Sequence, residues 1–348
     1  MTDLLSCAPH ARGANNRPGF SDRDVQNDGP MRNLVLIAGR SHPDLARATA
    51  ESLGVGLLQT DIRTFANGEI YTRFNSSVRG KDVFVLQTGC DPVNDGLVEL
   101  LLLIDSCKRA SAKHISAVTP CYPYSRQDRK GYGREPISAR LVADLIACAG
   151  ADRIITVDLH ASQIQGFFNG PVDHLTGVPA LIKHVKSLRI DNLTIVSPDI
   201  GRVKVADVWS DKLNAPLAII HKRRDPRVHN NVTMHEIVGD VRSRVCLVVD
   251  DLIDTGDTLA KAAIALKKAG AVKVIAAATH GIFSTPERLV SCGEIDHVIV
   301  TDSVPASKVF DRVKTVSIAP LLACAICEVV TEGSISEMLD CVSKRIDN

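Results

Sequence analysis

No stretch of this 348-residue sequence is apolar for long enough to span a bilayer; the richest run, LVELLLLIDSCK (97–108), is broken by Glu99 and Asp105. Net charge is nearly absent as well. The 41 Lys and Arg against 40 Asp and Glu leave +1, so no global field argues for nucleic acid or a membrane surface as partner. A targeting peptide is not expected either, because residues 1–30 have no apolar core and carry acids throughout. The ten cysteines show no disulfide framework. They lie mostly inside apolar runs, such as VC246LVV, which reads as reduced, buried thiol in a cytoplasmic protein. Cys324-Ala-Ile-Cys327 has the spacing of a metal or redox pair, but it stands alone in LLACAICEVV and is expected to pack in the core.

What remains is an ordinary globular composition, 45% hydrophobic and 23% charged, with length for one large or two medium domains. Residues 1–30, rich in Asn, Asp, Gly, Pro and Arg, are expected to be a disordered and dispensable extension. From Met31 onward, short apolar runs alternate with helical patterns. LVLIAG, VFVLQTG, HISAVTP, RIITVDLH, LTIVSPD, PLAIIHK, RVCLVVDD, KVIAAATH and HVIVTD read as strands. Segments such as NDGLVELLLLIDSCKRA and SARLVADLIACAGA between them carry apolar spacing near 3.6. The alternation predicts an α/β fold with largely parallel sheet covered on both faces. In such sheets ligands bind beyond the carboxyl ends of the strands. Those ends here are polar: TGCD, PYSRQD, DLHAS, SPDIG, HKRRD and DDLIDTG. A faint echo between AGADRIITVDLH (149–160) and AGAVKVIAAATH (269–280) suggests two similar domains meeting near residues 175–180.

The stretch VVDDLIDTGDTL (248–259) carries the most chemistry. A buried-strand pattern beginning at Val245 runs into Asp250, Asp251, Asp254 and Asp257, wrapped around a Thr-Gly-x-Thr turn before a helical run. Glycine and small hydroxyl residues at a strand-to-helix turn leave backbone N–H groups to cradle a phosphate. The aspartates suit sugar hydroxyls or an outer-sphere hydrated Mg²⁺. A helix cap would use one such residue; four acids exceed it. The combination describes a phosphorylated sugar, with its phosphate on the TGDT end and its hydroxyls on the DD end.

This stretch resembles the phosphoribosyl-pyrophosphate loop of type I phosphoribosyltransferases. VDLHASQIQGFF (157–168), FANGEIYTRF (65–74), PYSRQDRKGYGREPISA (123–139) and SPDIG (197–201) occur with it. On these motifs the chain from about Met31 is similar to the class I ribose-phosphate pyrophosphokinases. The resemblance implies two tandem phosphoribosyltransferase-like domains, each a mostly parallel sheet flanked by helices. Residues 31–176 would form the ATP side and 177–318 the ribose 5-phosphate side, with 319–348 packing back on the first domain. It implies transfer of pyrophosphate from MgATP to the 1-hydroxyl of ribose 5-phosphate, with Mg²⁺ as cofactor and AMP as second product. It also implies a homo-oligomer, a hexamer in the family, with active sites shared between subunits.

By the same resemblance Lys222 and Arg224 are catalytic, their charge closing over the transferring group. Asp254, Thr255, Gly256, Asp257 and Thr258 hold the sugar phosphate, and Asp250, Asp251 and Arg224 complete the ribose 5-phosphate site. His160 and Asp199 hold metal. Arg126 and Gln127 bind ATP, joined by Phe65, Asn67, Gly68 and Glu69 from a neighbouring subunit. Ser77, Arg79, Ser111 and Arg134 fall on a phosphate/ADP regulatory site.

Two departures stand out. Asp257 replaces a second loop glycine and is expected to point to solvent. If it faced the ligand, its repulsion of the phosphate would be of order 1–2 kcal/mol. Arg202 and Val205 stand where the family often has Gly and Arg. Two rival classes remain at this stage. A base phosphoribosyltransferase would need the loop but not FANGE, SRQD or DLHASQIQ. A non-catalytic regulatory homologue would typically lose the basic or acidic residues kept here.

Overall fold

A five-stranded and a seven-stranded sheet, one after the other in the chain, make up the computed structural model, which describes residues 30–224, 233–285, 287–305 and 311–347. The N-terminal extension lies, through residue 29, outside the described residues. In the first half β1 (Leu34–Ala38) and α1 (Pro43–Leu53) precede a hairpin of β2 (Thr60–Thr64) and β3 (Ile70–Phe74). Next come β4 (Asp82–Leu86), α2 (Val93–Arg109), β5 (His114–Val118), α3 (Ser138–Ala149), β6 (Arg153–Val157) and β7 (Val172–Leu175). The second half runs α4 (Val178–Ser187), β8 (Leu193–Ser197), α5 (Val203–Leu213), β9 (Leu217–Arg224), β10 (Thr233–Val238) and β11 (Val245–Ile253). It continues through α6 (Asp257–Lys268), β12 (Lys273–Gly281), α7 (Glu287–Ser291), β13 (His297–Thr301) and β14 (Val313–Val316). Two helices, α8 (Ala319–Val330) and α9 (Ile335–Asp347), close the chain.

The first sheet is wholly parallel in the order β1-β4-β5-β6-β7. The second has the order β10-β9-β8-β11-β12-β13-β14 and is parallel except for its edge strand β10. Strands buried on both faces need apolar side chains on both, and Val245–Val249 and Val274–Ala278 supply them. One face of the second sheet packs Cys246, Val248, Val274 and Ala276 against Leu259, Ala263 and Leu266 of α6. Its other face packs Leu247, Val249 and Ile275 against Leu181 and Ile182 of α4 and Trp209 of α5. The first sheet places Val83, Val85, Ile115 and Ile154 against α2 and α3.

The opposite face of that first sheet is closed from both ends of the chain. Leu36, Phe84, Leu86 and Ile155 meet Leu45 and Ala46 of α1 together with Leu322, Cys324, Ala325 and Ile326 of α8. Cys324 is buried there and Cys327 half-buried, neither in a disulfide. The sequence echo also takes physical form. Gly150 and Gly270 both have left-handed backbone, ending α3 and following α6, and β6 and β12 occupy matching positions in the parallel runs β4-β5-β6-β7 and β8-β11-β12-β13.

The halves meet along their strand ends. Asp158 accepts hydrogen bonds from the Gly177 N–H at 2.9 Å and from the Thr279 hydroxyl. His280 Nε2 lies 3.0 Å from the Val157 carbonyl, and the Thr88 hydroxyl donates to the Ser303 carbonyl at 2.6 Å. His160 and His280, equivalent in the echo, thus have different surroundings: His280 is buried in this seam, whereas His160 lines an open pocket.

Candidate active site

The pocket grows out of the end of β11. This strand continues through both aspartates of its DD pair, because β12 pairs with it as far as Ile253↔Gly281. Gly256 then takes left-handed backbone (φ 79°), which L side chains adopt at a cost, and a Cβ there would stand 2.5 Å from Leu289 Cγ. This turn starts α6 at the pocket wall with no side-chain cap from Gly256, while the Asp257 N–H donates to the Thr255 hydroxyl at 3.4 Å. Asp257 is the first helical residue and is half-buried, lining the pocket. The left-handed glycine before it directs the first helical turn along the pocket. A carboxylate in that turn is favourable to the helix dipole.

Asp199, at the end of β8, caps the short turn Ile200–Arg202 by accepting from the Arg202 N–H at 3.2 Å. That turn swings the Arg202 side chain into the pocket. Its Nε lies 3.2 Å from Asp250 Oδ1 and its Nη2 lies 2.8 Å from Asp251 Oδ1. His160, just past β6, places Nδ1 2.7 Å from Asp251 Oδ2 and 2.9 Å from Arg202 Nη2. With Nδ1–H donating to the carboxylate, the ring presents Nε2 as its remaining nitrogen. Burial, reinforced by the hydrogen bond and negative charge of Asp251, pushes the Asp250 carboxyl up to about 8. Burial acts on Asp251 in the same direction. There the hydrogen bonds from His160 and Asp250 and the Arg202 charge outweigh it and hold that carboxyl at about 2. Burial and their different partners thus push the two carboxyls apart, Asp250 upward and Asp251 downward.

These groups line a cavity of about 300 Å³ with Asp254, Thr255, Gly256, Asp257 and Thr258. A second cavity, about 520 Å³, opens beside it and is lined by Gly89, Cys121, Tyr124, Arg126, Gln127 and Phe283, among others. Arg126, Leu252 and Asp254 belong to both walls, and Arg126 Nη1 bonds Asp254 Oδ2 at 2.7 Å. The two halves of the chain thus contribute one side each to a pair of adjoining cavities. Gln127 is fixed in the second by the Ser138 hydroxyl, which donates to its side-chain oxygen at 2.6 Å.

The other expected residues lie elsewhere. Phe65, Asn67, Gly68 and Glu69 form the exposed turn between β2 and β3 and line neither cavity. The turn is ordered by its own bonds: Gly68 N–H to the Phe65 carbonyl at 2.9 Å, and Glu69 N–H to Asn67 Oδ1 at 3.2 Å. Lys222 and Arg224 end β9, on the far side of β8 from β11; their side chains lie outside the described part of the structure. The Arg79 N–H donates to the Ser77 hydroxyl at 3.3 Å, and Gly80 N–H donates to the Ser111 carbonyl at 2.8 Å, which brings these three together. Arg134 sits with left-handed backbone on the separate exposed segment 129–137.

Sequence reasoning missed two contributors. Arg202 was singled out as a departure from a pattern, not as a pocket residue. Glu99, which is buried, holds the loop after β1: Arg40 donates to it through its backbone N and its Nε, both at 2.6 Å. Its position inside an apolar helical run is the signal that a buried acid must have a partner.

Comparison with known proteins agrees with this geometry. Residues 34–150 match the family described as the N-terminal domain of ribose phosphate pyrophosphokinase, and residues 226–340 match the phosphoribosyl synthetase-associated domain. A ribose-phosphate pyrophosphokinase of Mycobacterium tuberculosis is 54% identical over 315 residues, covering 89% of this chain and 96% of that protein. The chain belongs to the ribose-phosphate pyrophosphokinase family. Another ribose-phosphate pyrophosphokinase, from Corynebacterium glutamicum, is 52% identical over 315 residues, covering 89% of this chain and 97% of its own length. The crystal structure of phosphoribosylpyrophosphate synthetase from Mycobacterium smegmatis superposes with a TM-score of 0.81 at 50% identity. It covers 86% of this chain and all of that one. A pyrophosphokinase needs seats for a nucleotide and for a sugar phosphate side by side, and the adjoining cavities have that form.

Proposed function

We propose that the chain is a ribose-phosphate diphosphokinase. The 1-hydroxyl oxygen of ribose 5-phosphate bonds to the β-phosphorus of ATP, the bond from that phosphorus to the α-phosphate oxygen breaks, and AMP leaves with the electron pair. The hydroxyl proton passes to solvent. The observation that carries this reading is the shared wall of the two cavities, where Arg126 and Asp254 bond across the seam between halves.

In this reading the sugar phosphate lies on the N–H groups at the start of α6, with Thr255 and Thr258 beside it. Asp250 and Asp251 receive the ribose hydroxyls, and the nucleotide occupies the second cavity against Arg126 and Gln127. Lys222 and Arg224, at the end of β9, supply positive charge to the transferring group. Among the described residues no cluster of three or more His, Cys, Asp or Glu is arranged to hold a metal by itself. Asp199 and His160 line the same cavity, and a carboxylate with an imidazole there suits a magnesium ion whose remaining ligands are phosphate oxygens and water. Bound there, the ion would neutralise non-bridging phosphate oxygens.

In this reading the exposed Phe65–Glu69 turn, which lines neither cavity, serves the nucleotide seat of a neighbouring copy in a homo-oligomer. The division at residues 176–177, and a C-terminal segment from 319 belonging to the first domain, agree with the two sheets and with the packing of α8 on α1. Nine cysteines among the described residues, none in a disulfide, fit a reducing compartment such as the cytoplasm. The test is AMP release from ATP by purified protein. It must depend on ribose 5-phosphate and Mg²⁺ together; AMP release indifferent to the sugar phosphate would refute the assignment.

A further inference from the structure

Among the described residues the pocket wall carries Asp199, Asp250, Asp251, Asp254 and Asp257 against two guanidinium groups, those of Arg126 and Arg202. Arg126 is held at Asp254. Arg202 is the described cation at the other end, and one residue there holds three groups. Its backbone N–H bonds Asp199, and its guanidinium donates to Asp250 and Asp251 at 3.2 and 2.8 Å. Its side chain is 18% exposed, so these contacts are made in a largely desolvated place where screening is weak. With His160 on Oδ2 they engage both oxygens of Asp251, and they engage Oδ1 of Asp250, which also accepts from the Asp251 N–H at 2.9 Å. At these distances there is no gap for an ion between the guanidinium and the acid pair. A divalent cation reaching that pair must displace Arg202, and a planar, always-charged fork bridging two carboxylates is hard to displace.

We propose that Arg202 is the resident cation of the pentose seat: it holds Asp250 and Asp251 in place, and His160 through Asp251, so the sugar phosphate binds there without prior loading of a divalent cation. The proposal rests on the reading of this cavity as the ribose 5-phosphate site. It makes Arg202 a positioning residue, acting through the acid pair and histidine. A positive charge fixed by the chain does locally what a metal would do from solution, and it competes with the metal for the same carboxylates.

Two measurements on the full chain without nucleotide test this. The first is titration of Mn²⁺ by electron paramagnetic resonance. The second is calorimetric titration of ribose 5-phosphate in chelator and in Mg²⁺. Wild-type affinity for ribose 5-phosphate is expected to change by less than about threefold between chelator and Mg²⁺. In R202A it is expected to fall by about tenfold or more in chelator and to recover with Mg²⁺, since a charge-assisted contact is lost. R202A is expected to bind Mn²⁺ about tenfold or more tightly than wild type, because a competing charge is gone. R202K, retaining the charge, is expected to stay near wild type in Mn²⁺ affinity. R202Q, close in size but uncharged, replaces R202A in both titrations if the alanine variant does not fold. Equal Mn²⁺ affinity in wild type and the uncharged variant overturns the proposal. So does tighter ribose 5-phosphate binding by that variant in chelator, which would make Arg202 an obstruction. Failure of the wild type to bind ribose 5-phosphate under either condition would instead count against the assigned function, and the Mn²⁺ comparison would still decide the role of Arg202.

Discussion

His42 caps α1 through Nδ1, which accepts from the Leu45 N–H at 3.2 Å. Its buried Nε2 makes no well-formed hydrogen bond, although the Asp302 backbone favours the protonated ring. An unpaired buried donor costs about 1–3 kcal/mol. Burial lowers the pKa of this histidine against the opposing charge of Asp302 and Asp44. The folded chain therefore prefers the neutral ring: the stability from this group is present above about pH 6.5, the unfolded value, and is lost as pH falls through the lower folded value. Protonation would also place a hydrogen on Nδ1 and end the cap. Asparagine keeps a capping oxygen, removes the stranded nitrogen and does not titrate. H42N should raise the melting temperature, and by more at pH 5 than at pH 7.5. Equal gains at the two pH values would show that His42 does not titrate as described. At this scale legibility was uneven. The four loop aspartates were conspicuous because charge at the end of an apolar strand has few explanations. The reach of Arg202 to the acid pair was not, because it depends on the short turn capped by Asp199, and a single sequence shows no through-space distance.

Among the elements, the β11–α6 junction has little geometric freedom. Gly256 meets two requirements, left-handed backbone and room for Leu289. G256A should destabilise the fold by about 1–3 kcal/mol through backbone strain and steric conflict, and should displace the first N–H groups of α6. Chemical denaturation measures the first effect, and ribose 5-phosphate affinity the second. An unchanged denaturation midpoint would show that the turn tolerates a Cβ. The strands that were legible are those buried on both faces, since continuous apolar runs such as RVCLVVDD need a sheet to cover them. The strands β2, β3, β7, β10 and β14 escaped because they are short or partly exposed. TDIRT and VKTV, for instance, show too few buried positions to stand out. The hairpin of β2 and β3 was visible only as the FANGE motif, whose turn residues were legible and whose flanking strands were not.

For the whole molecule, the joining of first and last segments sets the stability. Leu322 of α8 is fully buried among β-strand and α1 residues of the first half. L322A should cost about 2–5 kcal/mol. The loss should appear in amide exchange of β1, β4 and β6 as well as in α8; exchange confined to α8 would mean that the helix detaches alone. The two-sheet plan was legible from alternation and from the 149–160 and 269–280 echo, while the seam built by Asp158, His280 and Thr88 was not, since hydrogen bonds between distant segments leave no local pattern. The closure of the first sheet by α8 has a further consequence during synthesis. The strands of that sheet are complete at Leu175, but the α8 side of their cover begins at Ala319. At 5–20 residues per second the intervening segment takes roughly 7–30 s to make. Throughout that interval α1 alone covers the face of Phe84, Leu86 and Ile155, and its α8 side stays open. A product truncated after residue 318 would carry every residue assigned to the pocket yet leave that face half covered, which would direct it to chaperones and proteases before it could bind substrate.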